Sequence, residues 1–232
     1  MAQTKNTKSA AIQNSAKTMF FFPVGCLIFL LFILFLPILL LLVFFHVLTL
    51  GFEKLGLSPE ATILILLLML LSSVINIPLT KKKMVYVSEP SFFGLFKTPK
   101  LRVSGIAINL GGAVIPIILS FYFLSKVPIE PILAATLLMI LVSKIFSRLV
   151  PGRGIAISAF IPPLFAVLFA WILAPEFMAP CAFVSGVLGT LIGADILNLR
   201  RAKKLSPGLL SIGGAGVFDG IFLVGIVSAL FT

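Results

Sequence analysis

Two aspartates are the residues in this chain whose type and spacing point most directly to chemistry. They are its whole aspartate content, in 232 residues with seven acidic and 18 basic side chains. Asp195 lies in Gly189-Thr190-Leu191-Ile192-Gly193-Ala194-Asp195-Ile196-Leu197-Asn198-Leu199. Asp219 lies in Gly213-Gly214-Ala215-Gly216-Val217-Phe218-Asp219-Gly220. Both runs are otherwise apolar and rich in glycine. A carboxylate inside such a run is costly, so it is either a functional group or a paired structural one. Two carboxylates brought together share one proton. One can then activate a water while the other protonates the departing amide, which is aspartyl protease chemistry.

The residue types that are scarce fit this reading. His46 stands alone, which excludes a two-His zinc helix, and Ser185-Gly186 follows Phe183 where a nucleophilic serine motif needs a small residue. Cys26 and Cys181 make no metal framework. No phosphate-binding loop is present, and no cofactor or metal is expected. The residues alone leave two other readings open. The aspartates could bind Na⁺ or carry protons, with Asn198 as a further ligand. They could instead be structural, with Asp195 pairing Arg200, Arg201 or Lys144 and Asp219 capping a helix start.

The elements that would position the aspartates follow from hydropathy. Hydrophobic residues make up 60% and charged residues 11% of the chain, and the mean hydropathy is +1.22. An ordinary soluble domain is about 25% charged. The composition predicts an all-α polytopic integral membrane protein of about seven transmembrane helices. The apolar runs are 20–50, 61–79, 104–124, 131–147, 157–174, 180–198 and 211–231. A basic tail, 1–18, precedes a single transmembrane domain, 19–232. The first run is too long for one straight helix and carries Pro37. The segment 80–102 contains Val-Tyr-Val at 85–87, which could form a small strand.

Charge orients the spans. With the N-terminus cytoplasmic, 16 of the 18 basic residues fall on the inner face, leaving Lys54 and Lys126 outside. This asymmetry predicts an outer C-terminus. It also accounts for the net charge of +11 without a nucleic-acid partner. The expected partners are membrane lipids and a membrane-spanning peptide. On this topology the sixth span ends at Arg200, which places Asp195 about 7–8 Å inside the inner end. If the seventh helix starts near Ile212, Asp219 lies about 10 Å in from the same face. The two carboxylates would then share a depth.

Several runs resemble an uncharacterised family of archaeal and bacterial multi-pass membrane proteins, a domain of unknown function. They are Asn76-Ile77-Pro78-Leu79, Ile108-Asn109-Leu110-Gly111-Gly112-Ala113-Val114-Ile115-Pro116, Gly193-Ala194-Asp195 and 213–220. The resemblance covers most of the chain beyond residue 60 and implies a prokaryotic plasma membrane. The two-aspartate layout is also similar to presenilin, signal peptide peptidase and the type IV prepilin peptidases, which use one aspartate on each of two adjacent helices.

That resemblance implies an intramembrane aspartyl protease with Asp195 and Asp219 as the acid/base pair. Pro162, Pro163 and Leu164 would stand in for the proline motif on a third helix. Gly213, Gly214 and Gly216 would let a substrate backbone approach. The sequence departs from presenilin in several places. Ala194 stands where presenilin has Tyr, Gly216-Val217-Phe218-Asp219 replaces Gly-x-Gly-Asp, and the proline motif precedes the aspartates.

Overall fold

The computed structural model describes residues 29–43, 46, 49, 53, 57–81, 83–91, 96–150, 154–205 and 208–230. For 83, 85–91 and 96–103 it describes the backbone course alone. The chain divides into two units, Met1–Val47 and Leu48–Thr232. In the first, helix α1 runs Phe29–Val43 within the expected 20–50 span and carries Pro37 in its interior. The basic tail 1–18 and Cys26 lie outside the described residues.

The second unit opens with α2, Pro59–Ser72. Ser58 caps it by accepting from the Ala61 N–H, and Pro59 takes the first helical position, where a missing N–H costs nothing. Where a continuous span over 61–79 was expected, the helix stops at Ser72 and Asn76–Pro78 forms strand β1. Strands β2 (Lys83–Ser91) and β3 (Phe96–Asn109) form an antiparallel hairpin, which includes the expected strand at 85–87. The expected span over 104–124 is likewise divided. Its first third belongs to β3, a π-helical turn covers Leu110–Val114, and α3 runs Ile115–Leu124. Short apolar runs have no periodicity that separates a buried strand from a helix, and Ile77, Ile106 and Ile108 favour the strand.

Helix α4, Ile129–Phe146, leads into a small hairpin of β4 (Arg148–Val150) and β5 (Gly154–Ala156). Helix α5 is Ile161–Leu173. The next helical stretch is a single apolar element, Pro175–Leu205, with changing pitch. It is regular as α6, Met178–Thr190, widens to a π turn at Leu191–Asp195, and tightens to a 3₁₀ turn at Ile196–Asn198. It ends as α7, Leu199–Leu205. Strand β6, Leu209–Ile212, precedes α8, Ala215–Leu230, so the run 211–231 also begins as a strand.

The C-terminal half of β3 joins these pieces. It pairs antiparallel with β1 (Ile77 opposite Ile108) and parallel with β6 (Ile108 opposite Ile212). Asn109 ties the sheet to the helices. Its amide donates to the Ser73 carbonyl at 2.5 Å and to Asn76 Oδ1 at 3.2 Å, and its oxygen accepts from the Gly112 N–H at 2.7 Å. The Ser211 hydroxyl of β6 donates to the same Asn76 oxygen.

Helix α6 is the centre of the core, packed against α3, α4, α5 and α8. Phe123 of α3 and Phe183 of α6 meet edge to face, with ring centroids 5.1 Å apart. Glycines let the helices close. A Cβ on Gly189 would fall 2.3 Å from Met139 Cβ, and one on Gly193 2.4 Å from the Ile140 carbonyl, so both seat α4. Gly186 instead meets Val224 and Ala166.

The outward face of α4 is apolar along its length. Leu133, Leu137, Leu141 and Ile145 are all more than half exposed, at helical spacing. Among the described residues, Ile129–Phe146 and Pro175–Leu205 are long and apolar enough to cross a membrane.

Candidate functional site

Asp195 is the last residue of the π turn and is 1% exposed. Its Oδ2 accepts a 2.6 Å hydrogen bond from the backbone N–H of Gly213. Gly213 can offer that N–H because it turns the chain from β6 into α8 with φ +68°, a left-handed conformation suited to glycine. The same turn lies against the other π turn. A Cβ on Gly112 would fall 2.1 Å from the Gly213 carbonyl oxygen, so the two backbones are in direct contact.

Asp195 lines a cavity of about 190 Å³. Leu209, Leu210, Ser211 and Ile212 of β6 form one wall, and Gly154 and Ile155 of β5 another. Leu199 of α7 and the start of α8, at Gly214, Ala215 and Gly216, complete the lining. Gly216 brings α8 close to β5. A Cβ on Gly216 would fall 2.2 Å from the Ile155 carbonyl oxygen, and the Gly216 carbonyl accepts from the Ile157 N–H at 2.9 Å.

Asp219 sits on α8 and is exposed. It is not among the residues lining the Asp195 cavity. It follows Ala215 by four residues and Gly216 by three, so it shares the helix face that those two turn to the cavity. The proline motif lies on the same part of α8. Pro162 and Pro163 are buried in the first turn of α5, and Pro162 Cγ is 2.9 Å from where a Gly220 Cβ would stand. Leu164 is exposed. The structure thus gathers Asp195, Gly214 and Gly216 around one cavity, with Gly213 bonded to Asp195, Asp219 one turn further along α8, and Pro162 of α5 against Gly220.

The basic residues considered as partners for Asp195 are placed otherwise. Arg200 and Arg201 are exposed. The Lys144 amine donates to the Leu197 carbonyl at 3.0 Å and to Asn198 Oδ1. Asn198 therefore spends its oxygen on Lys144 rather than offering it to a cation. Among the described residues no group of three or more His, Cys, Asp or Glu is placed to hold a metal ion.

The β5 and β6 walls were not anticipated from sequence. The run Leu209-Leu210-Ser211-Ile212 read as the start of a helix, and Gly154 carried no distinguishing pattern. The one signal was glycine, since Gly154 has φ +96°.

Among the described residues, a helical fold with apolar outer faces and two helices long and apolar enough to cross a membrane points toward a helical membrane protein. Residues 70–231 match the family described as "Protein of unknown function (DUF1614)". The chain belongs to that family, whose match contains the cavity, both aspartates and the proline motif. No curated protein matches the chain, and no solved structure does.

Proposed function

We propose that the protein is a presenilin-like intramembrane aspartyl protease, a hydrolase that cuts membrane-spanning peptides near the cytoplasmic side. The observation that carries this reading is the cavity, which sets a buried carboxyl beside strand β6. Among the described residues β6 pairs with β3 alone, so its second edge is unpaired, and its four residues line the cavity. An extended peptide can add to such an edge through its main chain. Its scissile carbonyl would lie between Asp195 and the face of α8 that bears Asp219. One carboxylate takes the proton of a water as its oxygen bonds to the carbonyl carbon. The other then protonates the nitrogen as the C–N bond breaks.

In this reading seven helices span a prokaryotic plasma membrane, with the N-terminus cytoplasmic and the C-terminus outside. The exposed apolar stripe of α4 and the shorter apolar helices support it. Pro162 and Pro163 brace the substrate side of α8, and Leu164 contacts the substrate or lipid.

A second reading is cation- or proton-coupled transport through the same aspartates. The observation favouring it is the change of helical pitch at Asp195, since interrupted helices commonly bear transport sites. Purified protein incubated with a transmembrane peptide decides between them. Cleavage abolished by Asp195→Asn and by Asp219→Asn separately supports the protease. Cleavage that survives both substitutions refutes it. Ion or proton flux in liposomes that both substitutions remove, without cleavage, establishes transport.

A further inference from the structure

The distortion that ends in Asp195 is held by a neighbouring helix. In a regular α-helix residues three apart lie within about 60° of each other. Asp195 and Asn198 would then reach the same neighbour. Here Asp195 bonds Gly213, whereas Asn198 bonds α4 and the turn after it. The π turn at Leu191–Asp195 and the 3₁₀ turn at Ile196–Asn198 make this divergence possible. Such turns leave carbonyls without their regular partners.

Asn198 and Lys144 answer those carbonyls. Asn198 is 5% exposed. Its Nδ2 donates to the Ala194 carbonyl at 2.9 Å, to the Gly193 carbonyl at 3.4 Å and to Ser147 Oγ at 2.7 Å. Its Oδ1 accepts from the half-buried Lys144 amine, which also donates to the Leu197 carbonyl. One amide and one amine thus satisfy the groups that a change of pitch exposes on both sides of Asp195. Without them, the segment regains its backbone bonds by returning to a regular helix. Removing the extra residue of a π turn rotates what lies on one side of it by about 100°. That rotation takes the Asp195 carboxyl away from Gly213 and the cavity.

We infer that Lys144 and Asn198 are positioning residues that hold the helix break and thereby aim Asp195 into its cavity. The inference rests on the reading of Asp195 as the working carboxyl, whether for hydrolysis or for transport. Its test needs neither activity.

A hydrophobic carbodiimide adds to carboxyl groups as an N-acylurea, and mass spectrometry of the full-length protein in lipid nanodiscs gives the rate at each aspartate. The wild type is expected to label at Asp195. Lys144→Met and Asn198→Ala should slow that labelling by about tenfold or more, as misplacement of a reacting group does. Lys144→Arg, which keeps charged donors, should restore it. Asn198→Asp retains the oxygen for Lys144 but loses the amide donors, and should label slowly. Asp219, which no part of this network touches, should keep its rate in every variant that retains the fold, and so separates re-aiming from unfolding.

Wild-type labelling rates at Asp195 in Lys144→Met and Asn198→Ala overturn the inference. So does slow labelling in Lys144→Arg equal to that in Lys144→Met. A wild type that does not label at Asp195 overturns the reading of Asp195 as a working carboxyl, and the inference with it. Labelling that follows the expected pattern in a protein without peptidase activity leaves the positioning role standing and removes the protease.

Discussion

Replacing Gly112 by alanine should damage the site without touching a charged residue. The added Cβ would fall 2.1 Å from the Gly213 carbonyl oxygen, 3.0 Å from Phe218 Cδ2 and 3.1 Å from the Gly213 carbonyl carbon. Two of these three contacts are backbone, so no side chain can swing away. Restoring even 3.0 Å requires the chains to part by about 0.9 Å. Gly213 is also the donor to Asp195, at 2.6 Å. If the whole displacement fell along that bond, the separation would be about 3.5 Å, where a hydrogen bond has lost most of its strength. Overpacking costs about 1–3 kcal/mol, and loss of a buried partner about 1–3 kcal/mol, so about 4 kcal/mol is a central expectation.

For a chain of this size each kcal/mol is worth about 2–4 °C, which gives a fall of about 8–16 °C in the unfolding midpoint. Thermal unfolding in detergent, followed by size-exclusion chromatography of heated samples, measures it. Gly225→Ala is the matched control. Its Cβ would meet only Phe183 Cε2, at an ordinary 3.6 Å, and alanine is favoured within a helix by about 0.5–1 kcal/mol. A Gly112→Ala midpoint within about 2 °C of wild type would refute the argument, as would an equal loss in Gly225→Ala.

Substitutions at the two aspartates should separate stability from function. Asp195→Asn keeps an acceptor for the Gly213 N–H and should fold with a near-normal midpoint, whereas Asp195→Ala strands that donor and should cost about 1–3 kcal/mol by the same assay. Asp219 is exposed, so Asp219→Asn should change stability by no more than about 0.5 kcal/mol, even though the protease reading requires it to abolish cleavage. Gly154→Ala forces a side chain into a φ of +96° at the cavity wall and should cost about 1–2 kcal/mol. Gly208→Ala meets nothing within 4 Å and should be neutral to about 0.5 kcal/mol.

How much of this was legible in the sequence depended on the range of the interactions. The fourth and fifth apolar runs, 131–147 and 157–174, lie close to α4 and α5, because there length and hydropathy act along one continuous helix. The runs 61–79, 104–124 and 211–231 concealed strands β1, β3 and β6. Those strands exist through pairing between residues such as Ile108 and Ile212, which no local pattern encodes. Asp195 was legible because an ionisable group in an apolar run is conspicuous. Its bond to Gly213 was not, since that depends on a left-handed turn. Lys144, one of three candidate partners for Asp195 in the structural reading, serves Asn198, 54 residues away. The π turn decides which residue faces α4, and helical arithmetic at 3.6 residues per turn misses it.

The parallel pairing of β3 with β6 also sets an order of events. Ile108 cannot meet Ile212 until every residue between them has been synthesised, and the Gly213 donor follows one residue later. Such long-range closures come late in folding, after the local helices. During biosynthesis Asp195 therefore leaves the ribosome ahead of Gly213 and β6, and its cavity closes only once they have followed it. Whatever chemistry the carboxyl performs is withheld from the nascent chain until its last helix begins.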